Sequence, residues 1–469
     1  MTTTICPDYL VIGAGAMGMA FVDTLVTDTK ATVAIVDRYS RPGGHWTIAY
    51  PFVTLHQPSA FYGVNSRPLG EKTIDKVGLN KGLSELATGD EVCSYFSKVM
   101  QQTFLPTERV EYYPMHEYKG EGEFRSIITN KTIRVGADTR IVDATFMKVK
   151  VPAMRPPAYE VAEDVHLVTP NGLAYLSRPY RGYTVVGAGK TGVDACLWLL
   201  ANGIDPKDVS WIMPRDSWFL ERSTLQPSWS RANSSQGPDR ADAETMNASS
   251  LEDLFLRLEA CGKMLRVDEN VWPTMFKCAT ISLPEIDRIK RVGKIIRQGR
   301  VVRIGATEVT LEKGTYTPVP DTLYIDCTAD GLAKLEPVPV FSGKHITLQS
   351  VRYCQQVFSA ALIAHVEATY DDEKVKNALC SVVPHPEEPR DYLDVSLGTY
   401  LNAFRWYAEP RTGAWLMQAR LDVTNAQMPE DPVEAAKVAP SLPDQLQAMC
   451  EKLRYLINQV PKDAETAAA

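Results

Sequence analysis

The chain has no pair of cysteines at the C-x-x-C spacing, although it contains nine cysteines among its 469 residues. They stand at Cys6, Cys93, Cys196, Cys261, Cys278, Cys327, Cys354, Cys380 and Cys450. An odd number of scattered cysteines favours a reducing compartment, and we expect them to be buried apolar fillers. The apolar run over residues 9–21 is interrupted by glycines and is too short to cross a bilayer, and no basic segment with a cleavage site precedes it. These absences predict a cytoplasmic protein without membrane insertion.

An excess of positive charge is also missing. The formal net charge is -7, so the chain has no uniform electropositive field and nucleic acid is not expected as a partner. With 45% apolar residues the chain is globular, and its length predicts about two to three domains. Small molecules are therefore the expected ligands, and an oligomer remains possible.

Several motifs of hydrolases and metalloenzymes are absent. The seven histidines form no His-Glu-x-x-His motif, and no Gly-x-Ser-x-Gly elbow occurs, so neither a metal site nor acyl transfer is predicted. The Gly189-Lys190-Thr191 triplet does not make a P-loop, because Thr184 stands where that motif requires a glycine.

What the chain does have is one glycine pattern, G-x-G-x-x-G, in two copies. The first copy covers residues 13–18 and the second covers residues 187–192. Each opens a segment that closes in a similar short strand, which ends at Asp143 in the first segment and at Asp326 in the second. Two such segments predict two bound dinucleotides, between which electrons can pass.

The first copy lies in a complete strand, turn, helix and strand unit. An apolar strand over residues 9–12 precedes the turn, helical spacing follows over 17–27, and a second strand over 32–36 ends at Asp37. We expect Asp37 to accept hydrogen bonds from a ribose, because an acid about 20 residues after the glycines has that role. The residues predicted to approach the pyrophosphate are Gly13, Gly15, Ala16, Met17 and Gly18.

The second copy repeats this plan, but its second strand ends in Pro214-Arg215-Asp216. A guanidinium can hold a 2'-phosphate that a carboxylate would repel, so Arg215 predicts NADPH rather than NADH. The alternative is that Arg215 is a solvated charge at a strand end, and the neighbouring Asp216 is compatible with it. The residues predicted to bind this second nucleotide are Gly187, Gly189, Lys190, Thr191, Gly192 and Arg215.

Shortly after Asp37 the chain reads Arg41-Pro-Gly-Gly44-His45-Trp46. With the two glycine patterns, this segment resembles the flavin-containing monooxygenase superfamily, which includes Baeyer-Villiger and N-hydroxylating enzymes, as a divergent member. The resemblance implies FAD in the first site and NADPH in the second. It further implies that FAD is contacted by Arg38, Gly44, His45 and Trp46 and that its adenine is held near Met115. The loop over residues 54–59 would then lie near the isoalloxazine ring.

Within that loop we single out His56, Gln57 and Ser59 as candidate catalytic residues. His45 and His56 could assist proton transfer, or both could be structural donors to backbone or flavin oxygens. Gln349 lies in a polar segment, 348–357, that is predicted to begin a C-terminal helix. It either closes the flavin or substrate pocket or is a buried polar helix end.

The predicted fold is α/β, with two Rossmann-like dinucleotide-binding domains, each carrying an antiparallel β-meander, and C-terminal helices. The second domain is inserted in the first, with boundaries at 1–155 and 175–322, and with a return to the first domain over 323–469. Helices are predicted over 350–368 and 393–407, and the polar segment 228–250 is predicted to be a mobile loop or a surface excursion.

The resemblance implies a single-component monooxygenase, in which a flavin hydroperoxide formed with O2 transfers one oxygen atom to a small organic substrate. The superfamily's histidine-containing signature before the second glycine copy is absent, apart from His166. No cysteine pair follows Gly44 either, so disulfide reduction is not expected. Two alternatives stay open: a flavin dehydrogenase or oxidase, and a redox-sensing binding module that turns nothing over.

Overall fold

The computed structural model describes residues 2–233, 238–329, 331–332, 334–424 and 442–460. The helices in this part of the chain are α1 Ala16–Asp28, α2 Gly89–Val99, α3 Pro170–Leu173, α4 Lys190–Ala201, α5 Pro238–Asn247, α6 Leu251–Ala260, α7 Leu283–Ile289, α8 Gln356–Thr369, α9 Glu373–Leu379, α10 Asp391–Ala408, α11 Pro410–Leu416 and α12 Leu442–Gln459. The first twelve strands are β1 Thr2–Ile5, β2 Tyr9–Ile12, β3 Val33–Asp37, β4 Gly63–Val64, β5 Arg67–Pro68, β6 Val110–Pro114, β7 His116–Gly120, β8 Glu123–Ser126, β9 Thr132–Val135, β10 Arg140–Asp143, β11 Glu160–Val161 and β12 His166–Val168. The others are β13 Gly182–Val186, β14 Val209–Ile212, β15 Ser217–Glu221, β16 Met264–Leu265, β17 Met275–Ile281, β18 Lys294–Ile296, β19 Val301–Ile304, β20 Val309–Leu311, β21 Gly314–Tyr316, β22 Thr322–Asp326, β23 Phe341–Ser342 and β24 His345–Thr347.

The first large sheet has the strand order β23-β24-β10-β2-β3-β6. All its neighbouring strands are parallel except β23 and β24, which form an antiparallel pair at one edge. Every residue of β3 is buried, as expected for an apolar strand covered on both faces. Helices α1 and α8 supply much of the core that covers this sheet, and α8 lies more than 300 residues after α1.

The second large sheet has the order β12-β22-β13-β14-β18 and is parallel throughout. It spans residues 166–326, because β12 and the closing strand β22 pair at one side of β13. These strands extend beyond the predicted boundaries at 175 and 322. Strands β23 and β24, which follow, belong to the first sheet.

Each large sheet is accompanied by a small one that contains antiparallel strands. These small sheets have the orders β1-β9-β8-β7 and β11-β19-β20-β21, and in each the first pair is parallel. A further sheet, β16-β15-β17, packs with α6, α10 and α12 around a separate apolar cluster. The prediction of a mixed α/β protein is confirmed.

Two local predictions need correction. The helix predicted to begin at Ser350 begins at Gln356, because the preceding turn folds back and the amides of Val351 and Arg352 donate to the Ser359 hydroxyl at 3.1 and 3.3 Å. The segment predicted to be a loop contains α5, over Pro238–Asn247. The helix predicted over 393–407 is present as α10.

Candidate functional site

The first glycine pattern forms the turn between β2 and α1. Gly13 has φ +102°, in the region that favours glycine, and its amide donates to the Val36 carbonyl at 2.8 Å. A Cβ on Gly18 would overlap the Gly13 carbonyl oxygen, so this position requires glycine as well. Gly15 is the N-cap of α1 and provides no side-chain cap, which leaves the amides of the first turn, including those of Ala16 and Met17, available to an anion.

The second pattern repeats this geometry between β13 and α4. Gly187 has φ +118°, and its amide donates to the Ile212 carbonyl at 3.0 Å. A Cβ on Gly192 would overlap the Gly187 carbonyl oxygen. Gly189 is the N-cap of α4, again without a side-chain cap, and Lys190 and Thr191 lie in the first turn of the helix. Both turns thus suit a dinucleotide pyrophosphate.

The closing strands end in matching turns. The Thr145 amide and hydroxyl donate to Asp143 Oδ1 at 2.8 and 2.6 Å, and Thr328 makes the same pair of bonds to Asp326 at 3.1 and 2.5 Å. Each closing turn packs tightly against the first glycine of its pattern. A Cβ on Gly13 would lie 3.0 Å from Thr145 Cγ2, and a Cβ on Gly187 would lie 2.9 Å from the Cys327 carbonyl oxygen. The internal repeat predicted from the sequence therefore extends to individual hydrogen bonds.

The two sites differ at the end of the second strand. Asp37 immediately follows Val36, and its carboxylate accepts from the amides of Ala14 at 2.6 Å and Tyr39 at 2.7 Å. Burial raises the pKa of Asp37, against the effect of these hydrogen bonds. Met213 has the corresponding place in the second site, after Ile212, and it is buried. The second site therefore has no carboxylate at the position that usually binds a ribose.

The Gly44 segment lies over the first glycine turn. The Gly43 amide donates to the Ala14 carbonyl at 2.9 Å, and a Cβ on Gly44 would stand 3.0 Å from the Gly15 Cα. Trp46 donates from its indole nitrogen to the Tyr62 hydroxyl at 2.8 Å. Burial lowers the pKa of His45 to about 4, so its ring is neutral at neutral pH.

The loop predicted to face a flavin ring is bound to later segments of the chain. The Thr280 amide donates to Nδ1 of His56 at 3.1 Å, which places the ring proton on Nε2 when the ring is neutral. Burial, with the nearby charges of Lys190 and Arg222, lowers the pKa of His56 to about 3. Neutral His45 and His56 can donate or accept hydrogen bonds, but at neutral pH neither ring carries the extra proton that a general acid would give up.

Gln57 and Ser59, in the same loop, have different surroundings. Gln355, at the beginning of α8, donates from Nε2 to Oε1 of Gln57 at 3.3 Å. The fully buried Ser59 hydroxyl donates to the Glu85 carbonyl at 3.0 Å and accepts from the Ala87 amide at 2.7 Å. These two bonds tie Ser59 to the segment at 85–87, and the catalytic role predicted for Ser59 stays a prediction.

Met115 and Gln349 both form hydrogen bonds with the main chain of other segments. Met115 has φ +56°, its amide donates to the Tyr39 carbonyl at 3.1 Å and its carbonyl accepts from Ile127 at 2.8 Å. The buried Gln349 side chain bonds to both the amide and the carbonyl of Val338, at 3.2 and 2.8 Å. For Gln349, these contacts agree with the buried polar alternative. It precedes α8 by several residues.

A charged network that sequence reasoning missed lies beside the second glycine turn. Arg222, 1% exposed, pairs with Glu285 at 2.7 Å and donates to the His56 carbonyl at 3.0 Å. Lys190 pairs with Asp194 and lies 4.0 Å from Glu285. Burial disfavours the charge of Glu285, yet Lys190 and Arg222 hold its pKa below the usual value. No short motif marks Arg222, since its partners are distant in sequence.

Arg215 lies three residues beyond the end of β14 and pairs with carboxylates. It bonds to Glu387 and lies 3.7 Å from Glu388. Asp216 turns away and is held by two bonds from Arg297, at 2.8 and 3.0 Å. Asp216 is therefore neutralised by another residue, and the carboxylates that compete for Arg215 come from the segment before α10.

No family model matches the chain. It is 52% identical over 421 residues to uncharacterised proteins of Mycobacterium bovis and Mycobacterium tuberculosis, which covers 90% of this chain and 78% of theirs. The chain belongs to their family.

Solved structures of flavin monooxygenases are similar to the chain at low sequence identity. The closed structure of cyclohexanone monooxygenase matches with a TM-score of 0.50 and 13% identity, over 96% of this chain and 99% of that one. A flavin monooxygenase mutant from Stenotrophomonas maltophilia matches with a TM-score of 0.47 and 14% identity, over 81% of this chain and all of that one. A steroid monooxygenase bound to NADP matches with a TM-score of 0.48 and 11% identity, over 78% of this chain and 85% of that one. The predicted resemblance to this superfamily is confirmed at the level of the fold.

None of the described helices is long and apolar enough to cross a membrane.

Proposed function

We propose that the chain is an NADPH-dependent FAD oxidoreductase and acts as a single-component monooxygenase on a small organic substrate. The observation that carries this proposal is the pair of glycine turns with matching hydrogen bonds and different strand ends. In this proposal each large parallel sheet is a Rossmann-like domain, with the second inserted in the first. When bound, FAD and NADPH would supply the redox chemistry of hydride transfer and O2 activation.

The first turn would hold FAD. The uncapped amides of α1 would face the pyrophosphate, and Asp37 and Arg38 would lie near the ribose. Gly44, which has no side chain, would let the nucleotide approach the backbone closely. Trp46, fixed by its bond to Tyr62, would form one wall of the site. The remaining residues proposed for this nucleotide are Gly13, Gly15, Ala16, Met17, Gly18, His45 and Met115.

The second turn would hold NADPH. Gly189 has no described heavy atom within 4 Å of a Cβ built on it, so the space beside the α4 terminus is open. Thr191 lies in the first turn of α4, and Arg215 would meet the 2'-phosphate after release from Glu387. Lys190 is paired with Asp194, so its proposed part is to orient the helix start.

The loop from His56 to Ser59 is bonded to later segments of the chain. The carbonyl and ring of His56 contact Arg222 and Thr280, and Gln57 contacts Gln355 at the start of α8. We propose that Gln57 and the neutral His56 orient the reacting groups through hydrogen bonds and help to exclude water. Ser59 keeps this loop in place.

The test is an absorbance spectrum of the purified chain before and after anaerobic addition of NADPH. We expect a flavin spectrum that bleaches, followed on aeration by O2 uptake coupled to substrate oxygenation with little peroxide. Peroxide in place of oxygenated product would favour the oxidase alternative. A colourless protein that takes up no FAD, or a flavin that NADPH never reduces, would overturn the proposal.

A pair of glycine variants sharpens this test. Gly189→Ala adds a methyl group only to open space, so it should preserve flavin content and thermal stability while weakening NADPH binding on the order of tenfold. Gly331→Ala also adds a methyl group where no described atom lies within 4 Å, and Gly331 belongs to neither glycine pattern. It should leave NADPH reduction unchanged.

A further inference from the structure

Three side chains from distant parts of the chain meet beside the loop at 54–59. Cys278 and Cys354 form a disulfide with a Cα–Cα distance of 6.6 Å, and they are 76 residues apart in sequence. His385 places Nε2 3.9 Å from the Cys278 sulfur. The expectation that the cysteines are buried apolar fillers is therefore wrong for these two; of the seven free cysteines, Cys6 is exposed, against the same expectation, and the other six are buried.

The backbone at both cysteines is unusual. Cys278 has φ +50° and Cys354 has φ +56°, a left-handed conformation that costs free energy for any residue with a side chain. Cys278 lies where the pairing of β15 with β17 shifts register, between Trp218 and Leu220. Such irregularities often aim a side chain at a functional site. Here they bring two sulfurs together from different elements.

The disulfide lies next to the residues proposed to face the flavin. Thr280, two residues after Cys278, donates to His56. Gln355, directly after Cys354, donates to Gln57. Each half of the disulfide is thus connected within two residues to the proposed flavin loop.

His385 is suited to accept a hydrogen bond from the buried Cys278 once that residue is a thiol. Its side chain is 6% exposed, and burial, assisted by the Lys277 charge, lowers its pKa to about 4. The ring is therefore neutral at neutral pH and has a nitrogen that can accept a hydrogen bond from a thiol. Cys354 is the more exposed of the two cysteines.

We propose that Cys278 and Cys354 are a redox-active pair that receives electrons from NADPH by way of the flavin, with His385 as the hydrogen-bond partner of Cys278. This inference rests on the proposed function. In the net reaction NADPH gives a hydride, which carries two electrons and one proton, and the surroundings give the second proton. The sulfur–sulfur bond breaks, each cysteine becomes a thiol, and NADP+ is released.

The test counts thiols in the flavin-bound full-length chain, denatured without air before and after anaerobic NADPH. We expect seven free thiols in the oxidised protein and all nine after NADPH. Differential alkylation followed by peptide mass spectrometry should assign the two new thiols to Cys278 and Cys354. Because this measurement uses the unaltered protein, it does not depend on the folding of any variant.

Two variants provide the comparison. In Cys278→Ser the number of thiols should not change with NADPH, because Cys354 has no partner. Cys450→Ser removes a buried free cysteine elsewhere, and it should still gain two thiols.

A flavin that bleaches while the count stays at seven would overturn the inference and leave the proposed function intact. A flavin that NADPH does not bleach would overturn both. Nine thiols in the air-oxidised protein would overturn the redox pair, and one bound zinc in that preparation would identify the three side chains as a metal site, since thiolates and imidazole are common zinc ligands.

Discussion

The contact between Arg215 and Glu387 makes a quantitative prediction about nucleotide choice. Arg215 has side-chain exposure of 32%, and the carboxylate that pairs with it is also partly exposed. NADPH binding requires the guanidinium to exchange this carboxylate for the 2'-phosphate, whereas NADH has no such phosphate. Arg215→Ala removes the proposed anchor, and Glu387→Gln removes its competitor.

The expected sizes follow from the exposure of the groups. Hydrogen bonds between charged partners contribute about 1.5–3 kcal/mol, so Arg215→Ala should raise the Kd for NADPH roughly 10- to 150-fold. A partly exposed ion pair contributes about 0.2–1 kcal/mol, so Glu387→Gln should lower that Kd by about fivefold at most. Neither change should alter NADH binding by more than about twofold, because the contact to the phosphate is the only difference.

The assay is nucleotide titration of the flavin-bound protein, with flavin reduction rates measured in parallel. Arg303→Ala is the matched control, since Arg303 is an exposed arginine on β19 with its guanidinium 3.8 Å from Glu160. It should leave both affinities unchanged. An equal loss of NADPH and NADH affinity in Arg215→Ala, or weaker NADPH binding in Glu387→Gln, would refute the reasoning.

Three further changes test the site. Gly192→Ala should destabilise the protein by about 1–3 kcal/mol in urea unfolding, because its Cβ would overlap the Gly187 carbonyl; unchanged unfolding would contradict this packing. The pKa of His56 is lowered from its usual value to about 3, so the unfolded state binds more protons and stability should fall as pH decreases from about 6.5 toward 3. His56→Asn should make the urea midpoint of unfolding fall less over this pH range than it does in the unaltered protein. An equal dependence of the midpoint on pH in both proteins would contradict a neutral buried ring. Ser59→Ala should lower the free energy of unfolding by about 1–3 kcal/mol, because it leaves the Ala87 amide without its acceptor. The rate of flavin reduction in the folded protein should stay the same. A lower rate with unchanged stability would instead support the predicted catalytic role of Ser59.

The parts of the fold that the sequence predicts are those where a local pattern has one structural solution. Gly18 and Gly192 have no space for a side chain, and the strands around them are continuous apolar runs, so both turns are recognisable from the order of residues alone. The ends of the strands also follow from local patterns, as in the two Asp-x-Thr turns after β10 and β22.

The parts that the sequence does not predict depend on pairing between distant residues. Arg222 reads as an ordinary charge, but it is buried because Glu285 and the His56 carbonyl are brought to it by folding. Cys278 and Cys354 have no recognisable spacing, since one lies on a strand and the other precedes a helix. The ion pair of Glu387 with Arg215 cannot be predicted from a local pattern either, because the two residues are 172 positions apart.

The difference between the two glycine turns bears on how each nucleotide would be held. Over the first turn, the Gly43 amide bonds to the Ala14 carbonyl and Gly44 approaches Gly15 closely. Beside the second, Gly189 adjoins open space, and the cation proposed to bind the phosphate is paired with a carboxylate that must be displaced. A covered site slows release, whereas an open site with a competing carboxylate favours exchange. Duplicated turns with unequal covering therefore suit a retained prosthetic group beside a reductant that enters and leaves with each turnover.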